Sequence, residues 1–138
     1  TRFSRRIGIK ISKVWNVKSS CFKGSKKQGS QSKNKMPHFQ IPRCLHSIIE
    51  ELNMYRTRVL VLKPKVCYSI HSDPVKRIHI PVITNENCWL IINKEIMHLP
   101  ADGRHYEIDT TQKHTALNGS WEDRIHIVGC IDNENISS

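Results

Sequence analysis

The chain lacks the features that would place it in a membrane or in an oxidising compartment. No run of about 18 apolar residues occurs, so no membrane span is expected. The chain starts at Thr1 rather than Met, as a fragment or processed chain would, and no apolar block typical of a secretory signal follows. Its five cysteines are scattered and form no C-x-x-C pair, which argues against a disulfide framework and a cysteine-rich zinc site. These absences favour a reducing compartment, and we expect the cytoplasm.

Acidic residues are missing from the first part of the chain. Residues 1–40 hold 11 of the 22 Lys and Arg residues and none of the 12 Asp and Glu residues. The remainder carries 11 basic against 12 acidic residues, so the net charge of +10 belongs to the N-terminal part. We therefore predict a basic, partly flexible arm over residues 1–40 and one folded domain over residues 41–138. Within the arm, residues 23–35 contain no apolar side chain and predict a mobile loop, either solvated or in contact with a polyanionic partner.

The pattern after residue 40 predicts one helix followed by strands. Pro42 suits the first turn of a helix, and the aliphatic spacing that follows predicts a helix over residues 42–54. Eight short strands separated by turn signals are predicted next, at residues 56–62, 66–70, 77–84, 88–92, 95–99, 104–109, 114–118 and 124–131. This order predicts a mainly β fold, a double-stranded β-helix of the jelly-roll or cupin-like barrel type, with one flanking helix.

A His-x-Asp motif at residues 71–73 begins the stretch of the sequence that has the most candidate metal-binding and anion-binding side chains. In an extended segment side chains alternate between faces, so His71 and Asp73 are expected to project to the same side. His114 follows 43 residues after His71. Two imidazoles and one carboxylate are the facial set that binds non-haem Fe(II) and leaves coordination positions open. The three residues are therefore candidate metal ligands.

A second set of residues adds positive charge near the candidate ligands. Arg77 and His79 share one face of the next predicted strand, and Arg124 and His126 repeat this pattern on the last strand. Arginine binds a carboxylate through two parallel hydrogen bonds. A cationic wall beside a metal triad suits a dicarboxylate co-substrate.

In their order and spacing, these motifs resemble the aspartyl/asparaginyl β-hydroxylase family of 2-oxoglutarate-dependent oxygenases. The resemblance covers about residues 58–132 and leaves the N-terminal arm outside. The matching pieces are His-x-Asp at 71–73, Arg-Ile-His-Ile-Pro at 77–81, His-Leu-Pro-Ala at 98–101, Asp-Thr-Thr with a histidine at 109–114, and Asn-Gly-Ser-x-Glu-Asp-Arg-Ile-His at 118–126. The resemblance implies a dioxygenase that uses Fe(II), 2-oxoglutarate and O₂ and yields succinate and CO₂. The implied substrate is an aspartyl, asparaginyl or other side chain of a protein or peptide.

The resemblance also implies roles for single residues. Fe(II) would be bound by His71 and His114. The best-known animal members lack the carboxylate ligand, whereas this chain has Asp73, which we expect to be the third ligand. Asp73 could instead cap the turn at Pro74.

The co-substrate 2-oxoglutarate would be bound by Arg124 with help from Arg77 and His79. An alternative is that Arg124 pairs with Glu122 on the surface. A different function is also open: a non-catalytic cupin-like binding module that its basic arm docks on nucleic acid or an acidic protein.

The sequence also suggests an alternative metal cluster around the turn at residues 100–103. Its members would be His98, Asp102 and His105. These residues span a turn rather than one wall of a strand, so we expect them to line the rim of the turn instead.

Overall fold

Two antiparallel sheets and one short helix make up the computed structural model, which describes residues 2–4, 9–14, 41 and 43–132. The ten strands, β1 to β10, are Arg2–Ser4, Ile9–Val14, Tyr55–Leu62, Val66–Cys67, Arg77–Ile83, Cys88–Ile92, Glu95–Met97, Arg104–Ile108, His114–Asn118 and Arg124–Cys130. A 3-10 turn at Arg43–Leu45 leads into helix α1 at His46–Glu51. The predicted mainly β class with one helix is confirmed, but the helix follows β1 and β2 and precedes the other eight strands. Residues 23–35, predicted to be a mobile loop, lie outside the described residues.

The larger sheet has six strands and the smaller sheet has four. The larger sheet runs in the order β1-β2-β8-β5-β10-β3, and the smaller in the order β4-β9-β6-β7. Every pair of neighbouring strands is antiparallel. In the described residues, strand pairing does not close the two sheets into one barrel. None of the helices described there is long and apolar enough to cross a bilayer.

Most predicted strands lie where the sequence placed them. Strands β6 and β9 have the predicted bounds, and most of the others differ from the prediction by one or two residues. The strand predicted at 66–70 is shorter, because regular pairing with β9 stops at Cys67. The chain still follows β9 as far as His71, which forms a β-bridge with His114.

Strands β1 and β2 were not predicted from the sequence. β2 pairs with β8 and so adds to the sheet that carries β5 and β10. Isoleucines at positions 7, 9 and 11 alternate with other residues, which is the period of a strand. The strong positive charge of this part of the chain predicted a flexible arm instead.

The helix is shorter than predicted. α1 ends at Glu51, whereas the periodic aliphatic residues had indicated a helix as far as residue 54. Asn53 adopts a left-handed conformation with φ of 51°, and the Met54 N–H donates to the Ile49 carbonyl. Asparagine is one of the few residues that adopt this conformation readily, and it commonly ends a helix. The turn at Asn53 then directs the chain into β3.

Apolar side chains form two clusters, one on each face of the larger sheet. The helix-side cluster comprises Leu45, Ile48, Met54, Ile78, Ile80, Val82 and Ile127. The inter-sheet cluster comprises Leu90, Ile92, Leu99, Tyr106 and Ile108. Because neighbouring side chains of a strand point to opposite faces, the isoleucines of β5 face α1 while Arg77 and His79 face the space between the sheets. The candidate site residues therefore share the inter-sheet side.

Candidate functional site

The structure brings the three predicted metal ligands together. Asp73 Oδ2 lies 3.5 Å from His114 Nε2, and Asp73 Oδ1 lies 3.8 Å from His71 Nε2. One ligand atom from each residue falls within 4.8 Å of the others, and no other group of three in the described residues meets this test. The two imidazole rings lie 4.4 Å apart at their centroids. The arrangement is compatible with one metal ion held by two nitrogens and one oxygen.

Backbone hydrogen bonds set the tautomer of both histidines. His71 Nδ1 lies 2.8 Å from the Ser69 carbonyl oxygen, and His114 Nδ1 lies 2.8 Å from the Gln112 carbonyl oxygen. A carbonyl oxygen only accepts, so each Nδ1 carries the proton of the neutral ring. Each Nε2 then has a free lone pair. Hydrogen bonding of the distal ring nitrogen to a carbonyl is the usual way in which proteins orient a histidine metal ligand.

Strand pairing positions the three side chains. His71 and His114 exchange two backbone hydrogen bonds, with N–O distances of 3.0 and 2.9 Å. The Asp73 N–H donates to the Thr110 carbonyl at 2.8 Å, and the Thr110 hydroxyl donates to the Val75 carbonyl at 2.8 Å. The turn that carries Asp73 is thus tied to the segment that precedes β9.

Arg77 lies against Asp73, which the sequence analysis did not anticipate. Arg77 Nη2 donates to Asp73 Oδ1 at 3.0 Å. Arg77 Nε lies 2.8 Å from Oδ2 but is not aligned as a hydrogen-bond donor. The sequence analysis had placed Arg77 with the co-substrate. In the structure its guanidinium engages the candidate carboxylate ligand, so that carboxylate faces Arg77 and the two histidines rather than capping the turn.

Arg124 is buried without a carboxylate partner. Only 4% of the surface of Arg124 is accessible to solvent. No carboxylate of the described residues lies within ion-pair distance of its guanidinium. Burial lowers the pKa of Arg124, and the nearby Tyr68 and Cys88 side chains oppose that shift. The alternative of a surface pair with Glu122 is wrong, because Arg124 is not on the surface. A buried guanidinium without a counter-charge is costly unless an anion binds to it.

Two further histidines lie beside Arg124. His79 Nδ1 and His126 Nδ1 are 3.2 Å apart, with the rings at 90° to each other. Burial, then the charges of Arg124, Arg77 and His114, lower the pKa of His79 to about 3. Burial and the charge of Arg124 lower the pKa of His126 well below its ordinary value. Both rings are therefore neutral near pH 7, and one Nδ1 donates to the other.

Polar atoms without partners converge on one small cavity. Thr84 Oγ1, Arg124 Nε and His126 Nε2 are buried, and none has a hydrogen-bond partner among the residues described. All three residues, together with His79, line a cavity of about 10 Å³. A cavity of this size holds about one water molecule. Such convergence of unsatisfied polar atoms indicates a site for a polar group, and Thr84 is a member that the sequence analysis missed.

The rival cluster predicted at residues 98–105 does not assemble into a metal site. His98 Nδ1 bonds to the Cys88 carbonyl at 2.9 Å. Asp102 accepts from the Tyr106 hydroxyl at 3.4 Å and from the Arg104 N–H at 3.1 Å. Among the described residues these three form no metal cluster: His98 bonds to β6, and Asp102 bonds at the turn before β8.

The family model for aspartyl/asparaginyl beta-hydroxylase matches residues 9–132 of the chain. The chain belongs to this family. The match begins at β2 rather than near residue 58, so this hydroxylase-family domain includes part of the predicted N-terminal arm. The family is one of hydroxylases, which indicates an enzyme.

Comparison with individual proteins adds little to the family match. None of the curated proteins matches the chain. Among solved structures, the plu4264 protein from Photorhabdus luminescens is similar, with 22% sequence identity and a TM-score of 0.47. The alignment covers 56% of this chain and 62% of that protein, which is less than two thirds of its length.

Proposed function

We propose that this hydroxylase-family domain is an Fe(II)- and 2-oxoglutarate-dependent dioxygenase. Its substrate would be an aspartyl, asparaginyl or other side chain of a protein or peptide, with succinate and CO₂ as co-products. The observation that carries the proposal is the pairing of two features in one inter-sheet space. One is the His-Asp-His cluster, and the other is the buried Arg124 guanidinium, which has no carboxylate partner among the described residues.

The donor set fits Fe(II). The free Nε2 lone pairs of His71 and His114 and the carboxylate of Asp73 would hold the ion on one face. When bound together, the ion and 2-oxoglutarate supply the oxidising chemistry that puts one oxygen atom of O₂ on the substrate. Arg77 holds one carboxylate oxygen of Asp73 and so orients this ligand.

The chemistry around Arg124 fits the distal carboxylate of 2-oxoglutarate. Its guanidinium provides planar donors, its Nε–H has no partner among the described residues, and the residue lines the cavity. His79 lines the same cavity as Arg124, and the charges of Arg124, Arg77 and His114 all lower its pKa. As a neutral ring, His79 donates a hydrogen bond to the co-substrate without adding a charge. The cavity has room for about one water molecule only, so binding of 2-oxoglutarate would require the side chains that line it to move.

The two facing sheets form a double-stranded β-helix in this proposal. The inter-sheet cluster already joins β6 to β8 across the space between the sheets.

Cys67, Cys88 and Cys130 are free thiols, which supports a reducing compartment such as the cytoplasm.

Anaerobic spectroscopy tests this function without a known substrate. Addition of Fe(II) and then 2-oxoglutarate to the protein should give a weak visible charge-transfer band, and admission of O₂ should give succinate. The variant His46→Ala, which changes an exposed histidine on α1, serves as the control and should behave as the parent does. Absence of both signals in the parent protein would refute the dioxygenase proposal and favour a non-catalytic binding module.

A further inference from the structure

The outer face of the smaller sheet is unusually apolar. Leu90 and Ile92 of β6 point into the inter-sheet cluster, so the residues between and beside them point outward. The outward residues of β6, β7 and β9 include Trp89, Ile91, Ile96 and Leu117. Ile96 is 65% exposed. Antiparallel sheets with one solvated face usually carry polar residues there. An apolar outer face indicates a contact surface.

A groove with two lysines lies at one end of this face. We call it the outer groove, and it has a volume of about 280 Å³. Its lining comprises Ile70, Ile91, Asn93, Lys94, Lys113, His114 and Thr115. No carboxylate lines it, and neither lysine forms an ion pair with any described residue. The groove therefore combines an apolar floor with two lysines that have no ion-pair partner among the described residues.

The groove has a defined shape because its edges belong to regular structure. Asn93 and Lys94 have φ of 47° and 68° and form the two-residue turn between β6 and β7. This is the geometry of a tight hairpin turn with both central residues in the left-handed region. On the other side, the Asn93 N–H donates to the Lys113 carbonyl at 3.0 Å. The two lysines are thus held at neighbouring positions on one rim.

The outer groove adjoins the candidate metal cluster. Ile70 directly precedes His71, and Thr115 directly follows His114. Because neighbouring side chains of a strand alternate, Thr115 faces the groove while the His114 ring faces Asp73. His71 is half exposed at the edge that separates the groove from the cluster. A chain lying in the groove would pass this edge.

We propose that the outer groove docks an acidic segment of the polypeptide substrate, with an apolar side chain on the floor and carboxylates at Lys94 and Lys113. The assignment of the segment to the substrate rests on the proposed hydroxylase function. Unpaired lysines select carboxylates, while Ile70 and Ile91 select an apolar side chain. A nucleic acid fits poorly, because two cations and an aliphatic floor give few phosphate contacts and no stacking surface.

Binding of designed peptides tests the groove directly. Three fluorescent peptides would be compared by anisotropy on the full chain: alternating Asp and Leu, alternating Asp and Ser, and alternating Lys and Leu. The Asp-Leu peptide should bind about tenfold or more tightly than either other peptide, and added salt should weaken its binding. Lys94→Glu with Lys113→Glu should reduce Asp-Leu binding about tenfold, and Ile70→Ser should reduce it several-fold.

A charge-matched double variant serves as the control. Lys63→Glu with Arg104→Glu makes the same change in net charge at exposed positions outside the groove, and should leave peptide affinity within about twofold. Equal affinity for the three peptides, or equal losses in the two double variants, would overturn the proposal. Self-association of the chain that Ile70→Ser relieves would assign the groove to a second copy, and would also overturn it. The assay needs neither metal nor 2-oxoglutarate, so its failure is separate from failure of the dioxygenase proposal.

Discussion

Two pairs of histidines lie close to each other and have opposite electrostatic surroundings. His71 and His114 face the Asp73 carboxylate, and backbone carbonyls fix the proton of each ring on Nδ1. His79 and His126 face the Arg124 guanidinium and bond to each other. A carboxylate beside imidazoles attracts a cation, whereas a guanidinium beside neutral imidazoles attracts an anion. The neighbours rather than the histidines themselves decide which ligand each pair can take.

The largest expected effect is on the pair that faces Asp73. His114→Ala removes one nitrogen ligand, so affinity for Fe(II) or Co(II) should fall by at least about a hundredfold, and succinate formation should stop. Metal titration under anaerobic conditions measures the affinity. His46→Ala is the matched control and should leave the affinity unchanged. Full 2-oxoglutarate turnover by His114→Ala would show that the metal site lies elsewhere.

The next largest effect concerns 2-oxoglutarate, which the proposed function places beside Arg124 and the second pair, His79 and His126. Arg124→Lys keeps the charge but loses the two-point geometry, so the apparent KM for 2-oxoglutarate should rise about ten- to a hundredfold. Affinity for the metal alone should hardly change. Glu122→Ala changes an exposed residue two positions before Arg124 and should leave the KM unchanged. An unchanged KM in Arg124→Lys would remove the co-substrate assignment.

The pH dependence of stability should reveal the second pair as well. The folded protein keeps His79 and His126 neutral because their pKa values are lowered, whereas the unfolded chain takes up protons near pH 6.5. The unfolded state therefore binds more protons below pH 6.5, and stability falls as the pH decreases from there towards about 3. The loss at pH 5 should be about 2 kcal/mol for His79, and His126 should add to it in the same direction.

Urea unfolding of the metal-free protein at pH 7 and pH 5 measures this loss. The variant His126→Asn should lose less stability between the two pH values than the parent protein does. An equal loss in both proteins would mean that His126 titrates alike in the folded and unfolded states.

The smallest effect separates two roles for Arg77. Arg77→Lys keeps a positive charge but weakens the hold on Asp73, so metal affinity should fall about tenfold while the KM for 2-oxoglutarate stays constant. Arg104→Lys, whose guanidinium pairs with Asp102 away from the cluster, is the control. A raised KM with unchanged metal affinity would instead show that Arg77 binds 2-oxoglutarate, which is the role predicted from the sequence.

The sequence predicted the parts of this site that depend on strand periodicity. Alternation placed His71 with Asp73, and the bounds of β9 placed His114 at the start of its strand. The family motifs supplied Arg124, and the turn signals located β6 and the Asn93-Lys94 turn. These features are local, so the period of two and the turn chemistry are enough to find them.

The features that sequence analysis missed depend on how loops and strands return to one another. The turn after Asp73 brings Arg77 back onto that carboxylate, and no local pattern encodes this approach. Thr84 lies just after β5 and lines the Arg124 cavity, an approach to β10 that no local pattern encodes. β2 has the period of a strand, but the strong positive charge around it predicted a flexible arm instead.

The bridge between His71 and His114 has a mechanical consequence for the edge of the smaller sheet. β4 and the residues up to His71 have β9 as their single neighbour in that sheet, so few contacts hold this edge. A metal ion held by both histidines would cross-link the edge to β9 and stabilise the folded chain by about 2.7 kcal/mol at a free metal concentration of a hundred times Kd. Amide hydrogen exchange at residues 68–71 should then slow on metal addition, while exchange in β5 and β10 changes less. A bound metal ion would therefore also stabilise the edge of the smaller sheet, and the rate of amide exchange at this edge would indicate whether the metal is bound.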